Sequence, residues 1–189
     1  MVFAALTAVS SATVTAVANV LSTTSTSSIV QFTFSGDLGG LSTPVNLPPY
    51  LFFGLSPALV SSMTTNSADI TTFSGNSVQT TSGLTLGLIE VRINGAPFYD
   101  RMGFSFSGNL NNATSFVSGS SVTVNLPIGS VTSSNFSGLP IYWGMPANYS
   151  DDNNARGTLV GAVAAVSESS SALFGAVAFV PFLRRKRSA

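Results

Sequence analysis

The chain contains no cysteine and no histidine. The first absence excludes disulfides, thiol catalysis and thiolate metal sites. The second removes the commonest general base and the commonest zinc ligand. Together they direct the reading away from an enzyme and from any resident cofactor. Charge is scarce as well: Asp, Glu, Lys and Arg make up 7% of the 189 residues, against about 25% in ordinary soluble domains. Only three cations, Arg92, Arg101 and Arg156, precede residue 184. So few cannot neutralise a run of phosphates, which argues against nucleic acid as a partner. No G-x-S-x-G elbow occurs, and a serine nucleophile would have no histidine to activate it. Sustained helical periodicity is missing between residues 29 and 166, where Ser56 to Met63 is the best candidate for one short helix.

What the body does have is alternation. Val30, Phe32 and Phe34 alternate with Gln31, Thr33 and Ser35, and Val122, Val124 and Leu126 alternate with Thr123 and Asn125. Period two is the mark of a half-buried strand. In GLTLGLIEVRING the apolar set changes phase, from Leu84, Leu86 and Leu88 to Ile89, Val91 and Ile93. A slip of one residue would reverse the faces, so a β-bulge is expected near Gly87. Asn94-Gly95 then signals a hairpin, with Phe98 and Tyr99 on the return strand. Short strands between Gly, Pro, Asn and Ser clusters predict an all-β fold, an antiparallel sandwich of jelly-roll type, as a single domain over 29–166. Fourteen Phe suit its core.

The two ends read differently. Residues 1–18 are apolar and small, carry no charge, and close on Ala16-Val17-Ala18 before Asn19. That A-x-A pattern is where signal peptidase would cut, after Ala18. The same residues also suit a Val/Ala/Thr-rich first strand. Residues 19–28, with LSTTSTSS from Leu21 to Ser28, read as a polar linker.

Residues 167–189 begin with Ser167-Glu168-Ser169, pass through an uncharged run from Ala172 to Leu183, and then meet Arg184-Arg185-Lys186-Arg187. Four consecutive cations stay on the cytoplasmic side of a membrane. From Ser169 to Leu183 a helix would extend about 22 Å at ~1.5 Å per residue, short of a ~30 Å bilayer core. Snorkelling arginines and local thinning accommodate such a deficit. Pro181 would interrupt the last turn, and a terminal apolar strand is the alternative.

This tail resembles the PEP-CTERM tail of bacterial exosortase substrates: a Val-Pro-Glu-Pro-like box, a Ser-rich start, a short apolar helix and a terminal basic cluster. Val166-Ser167-Glu168-Ser169 stands at the box, with Glu168 matching and Ser167 and Ser169 in place of the prolines. The resemblance covers about two dozen residues. It implies export, sorting by a membrane protease, membrane contact through residues 169–187, and display at the cell surface or within extracellular polysaccharide.

Candidate sites in the body are few. Asp151-Asp152-Asn153-Asn154 offers oxygen ligands that suit Ca²⁺, although adjacent strand residues face opposite sides and a solvated turn is the better explanation. Tyr142 and Trp143, in LPIYWGMP, form a candidate sugar-stacking platform, against half-buried packing at a strand end. Glu90 and Asp100 flank the Asn-Gly hairpin; a glycosidase pair would need them ~5–9.5 Å apart in a cleft, and Arg92 and Arg101 are their expected surface partners. The sequons at Asn112, Asn135 and Asn148 are expected by chance in so Ser/Thr/Asn-rich a chain. The expectation is an exported, non-catalytic surface or matrix protein. Two alternatives stand beside it: a carbohydrate-binding module using Tyr142 and Trp143, and a self-assembling subunit whose ends pair with neighbours as strands.

Overall fold

A computed structural model describes residues 13–39, 41, 50–93, 100–108, 114–144 and 158–166. Nine strands run through them: β1 (Thr13–Thr23), β2 (Ser28–Asp37), β3 (Tyr50–Gly54), β4 (Ser67–Ile70), β5 (Thr85–Arg92), β6 (Arg101–Ser107), β7 (Ser121–Leu126), β8 (Pro140–Trp143) and β9 (Thr158–Ala164). Helix α1 (Pro57–Ser61) follows β3. The strands make one sheet, ordered β4-β5-β6-β3-β8-β9-β1-β2-β7, which curls until it is nearly closed into a barrel. The all-β expectation holds. The sandwich is corrected to a single curled sheet, because each strand finds a partner on both sides until only β4 and β7 are left as ends.

Alternation decides which side faces in. Val30, Phe32 and Phe34 of β2 and Val122, Val124 and Leu126 of β7 all point to the core. Across the other half, the register sets Ile70, Ile89, Phe104, Leu51 and Trp143 in one inward row spanning β4, β5, β6, β3 and β8. Phe32 packs on Phe53, Phe104 and Phe136, with ring centroids 5.8, 5.3 and 5.9 Å away. All three contacts are tilted or edge-on, the arrangements that the ring quadrupole favours.

The β5–β6 register shifts between Leu86 and Leu88, so the bulge expected at Gly87 is present. It lets Leu84 and Leu86 before it, and Ile89 and Val91 after it, all face the core. Helix α1 starts where Ser56 caps it, accepting from the Leu59 amide, with Pro57 in the first turn. It buries Leu59 alone.

The amino end departs from expectation. Residues 19–23 are not linker but the second half of β1, and Thr24 to Ser27 is the turn into β2. There Thr24 N donates to Ser27 O at 2.8 Å, and Thr24 Oγ1 accepts from Ser27 N at 3.0 Å. The polar Ser/Thr run is a hairpin turn because hydroxyls substitute for backbone partners there. Ala16-Val17-Ala18 lies inside β1, with Ala16 and Ala18 buried. On its other side β1 pairs in parallel with β9, Val14 to Val17 against Gly161 to Ala164. The boundary drawn at residue 29 therefore moves to residue 13 or earlier, since β1 belongs to the same sheet.

Both ends of the sheet are protected. Ser74 and Thr123 exchange backbone hydrogen bonds at 3.0 Å, and Ser77 N donates to Ser121 O, covering β7. Strand β4 has four residues and carries Asp69. Short, charged or covered edges discourage pairing with another chain.

Candidate functional site

The outer face of β4, β5, β6 and β3 gathers four charged side chains, Asp69, Glu90, Arg92 and Arg101. The register places Arg92 of β5 directly opposite Arg101 of β6, and Asp69 of β4 opposite Glu90 of β5. Like charges in such pairs repel, and here each is relieved by a neighbour of opposite sign. Glu90 Oε1 accepts from Arg101 Nε at 3.1 Å and lies 3.0 Å from its Nη2. Glu90 Oε2 is 3.3 Å from Arg92 Nη2, which also donates to Asp69. Arg92 Nη1 donates to the Ala68 carbonyl at 3.0 Å, tying the edge strand to its neighbour. Exposure rises along the network: Arg101 is 2% exposed, Glu90 15%, Arg92 23% and Asp69 58%. A charge buried as deeply as Arg101 requires a carboxylate beside it.

Tyr50 completes the network from β3, its hydroxyl donating to Glu90 Oε1. Burial raises the phenol's pKa well above its ordinary value, and the Glu90 hydrogen bond and charge raise it further. Tyr50 therefore stays protonated and acts as a donor; it is unsuited to serve as a base or nucleophile. Beyond it, on the same outer face, Phe52 and Tyr142 stack with centroids 5.2 Å apart. Phe52 is buried yet stands apart from the barrel core. Tyr142 is half-buried and pairs with Leu159 of β9, which is exposed.

The sequence-expected residues fare unequally. Trp143 is 2% exposed and faces the core opposite Leu51, whereas Tyr142 faces out. The Tyr142–Trp143 stacking platform is thus corrected: consecutive strand residues point to opposite faces, so the two rings cannot share a surface. Arg101, expected at the surface, is buried. Asp100 precedes β6 and its carbonyl accepts from Leu55 N at 2.9 Å, while Glu90 is held within the ion-pair network. Asn135 Oδ1 accepts from Thr132 N at 2.8 Å and from Thr132 Oγ1 at 3.0 Å, bracing the 3-10 turn Ser133–Phe136.

Several residues lie outside the described residues: Asn94-Gly95, Asn112, Asn148, Asp151, Asp152, Ser167, Glu168, Arg184, Arg185, Lys186, Arg187 and the apolar helix expected ahead of those last four. Among the described residues no three His, Cys, Asp or Glu side chains are grouped to hold a metal, and no helix is long and apolar enough to cross a membrane.

Tyr50 is the member that the sequence reading missed. The signal was the run Tyr50-Leu51-Phe52-Phe53, apolar on both faces, which marks a strand covered on both sides. Comparison of the chain with protein-family models, curated proteins and solved structures gives no match.

Proposed function

We propose that the protein is an exported, non-catalytic component of the bacterial cell surface or extracellular matrix, sorted or anchored through its C-terminal tail. The observation that carries this reading is the order of residues 168 to 187: one acid, an uncharged apolar run and Arg184-Arg185-Lys186-Arg187. That order suits a stop to translocation, with the body left outside and the cations held in the cytoplasm. The body is consistent with a display role. Its barrel interior is packed with aromatic side chains, and its one outer-face charge cluster, among the described residues, is engaged in internal pairing. Its partners are then the export machinery, a membrane protease, the membrane at residues 169–187 and surrounding polysaccharide.

The test is fractionation of cells making the full chain beside a variant lacking residues 184–187. The intact chain is expected outside the cytoplasm and accessible to added protease. The variant is expected to lose membrane retention or sorting and to accumulate elsewhere. Recovery of both chains, full length and protease-protected, from the cytoplasm would overturn the reading.

A further inference from the structure

We infer that β1 is a permanent strand of the mature body, and that any leader is cut before Thr13 and not after Ala18. Position supplies the first argument. Strand β1 lies between β9 and β2, in the interior of the sheet order and third from its β7 end. Cutting after Ala18 would remove the entire β1–β9 ladder, Val14 to Val17 against Gly161 to Ala164. It would also remove the partners of Phe32 through Asp37 on β2. Two unpaired strand edges, of β9 and β2, would then face each other inside the sheet, where an unpaired backbone is costly.

Glycine placement supplies a second, independent argument. A Cβ on Gly161 would fall 1.7 Å from Val14 O, and one on Gly36 would fall 2.0 Å from Thr13 O. Gly36 also adopts φ +110, which favours glycine by itself. Gly161 does not have a left-handed backbone, so the approach of β1 is what excludes a side chain there. Two strands that do not pair with each other thus both leave room for the start of β1, Gly161 for Val14 and Gly36 for Thr13 and Val14.

Packing explains why the stretch resembles a cleavage site. Ala16 is paired with Phe34, and Ala18 with Phe32. Both rings pack onto Phe104, at 5.1 and 5.3 Å. Small side chains beside large ones let a core interdigitate, and the same small residues at alternate positions make an A-x-A pattern. The location of the cut rests on the export reading; the permanence of β1 does not.

Three measurements on the full chain decide it. In hydrogen exchange, amides 14–18 are expected to be protected as strongly as amides 30–34. Free exchange over 14–18 with 30–34 protected would overturn the inference. Gly161→Ala is expected to lower the folding equilibrium constant about tenfold or more through overpacking. Unchanged stability in that variant would show that β1 does not occupy the slot. The N-terminus of protein collected outside the cell is expected at Thr13 or earlier, and a folded chain starting at Asn19 would sink the proposal. Uncut protein found only in the cytoplasm would instead overturn the export reading, and the first two measurements would still decide the status of β1.

Discussion

The phenol of Tyr50 fills the space into which a side chain at position 103 would project. A Cβ on Gly103 would lie 1.6 Å from the Tyr50 hydroxyl oxygen and 2.1 Å from its ring carbon Cζ. Tyr50 is paired with Ser105, so its ring leans diagonally over Gly103 to reach Glu90, the residue opposite Gly103 on β5. One bare glycine thereby lets a hydroxyl on β3 bond a carboxylate two strands away.

Gly103→Ala is expected to displace the Tyr50 ring and cost about 2 kcal/mol, within the range of overpacked sites. Gly87→Ala is the control, since its Cβ would meet only Ser105 O, at 3.9 Å. Urea unfolding midpoints check the pair. The Gly103→Ala penalty should shrink in a Tyr50→Ala background, because the two changes share one cause.

Tyr50→Phe removes the donor and should cost about 1 kcal/mol near neutral pH. Its larger signature is at alkaline pH. The folded-state pKa is raised above the ordinary tyrosine value of 10.0, so the unfolded chain loses this proton first. The stabilisation is complete below that value and declines as pH rises through and beyond it. The wild-type chain should therefore lose stability more steeply above pH 10.0 than Tyr50→Phe does. Unfolding curves at stepped alkaline pH check the difference in slope.

Glu90→Gln leaves Arg92 and Arg101 facing each other with one fewer carboxylate. Breaking a buried pair costs about 3–5 kcal/mol, and the part-exposed position of Glu90 sets the expectation at the lower end of that range. Glu90→Gln combined with Arg101→Met should recover much of the loss, because the deeply buried cation goes with its partner. Thermal unfolding of the single and double variants reads this directly.

The single tryptophan gives a convenient probe of the carbohydrate alternative. With Trp143 facing the core, its fluorescence should be blue-shifted, poorly quenched by iodide and unchanged by added polysaccharide. Strong quenching that a glycan relieves would return Trp143 to the surface and revive a binding platform.

Much of the barrel was legible where residues alternate cleanly. Phe32 and Phe34 on β2, Val122 and Val124 on β7, and the phase change at Gly87 each follow from the two-residue period of a strand. Strand β1 was ambiguous because Ala16 and Ala18 fit a leader and a strand equally well; only Phe32 and Phe34 across the ladder distinguish them. Whether the strands make two sheets or one was not legible, since periodicity assigns faces and says nothing about neighbours. In the site, Glu90, Arg92 and Arg101 were recognisable as a charged group beside a turn. The depth of Arg101 and the arrival of Tyr50 depend on which strand lies beside which. The separation of Tyr142 from Trp143 is legible in the sequence, because adjacent residues on a strand point to opposite faces.

The parallel pairing of β1 with β9 also fixes when the molecule can finish folding. The first described strand and the last are neighbours in the sheet, so a chain emerging residue by residue keeps the outer edge of β1 vacant until Thr158–Ala164 arrives. Contacts so distant in sequence slow folding. A chain that must thread a membrane in extended form benefits from that delay. Under the proposed export, the strand that completes the sheet would be among the last described segments to cross.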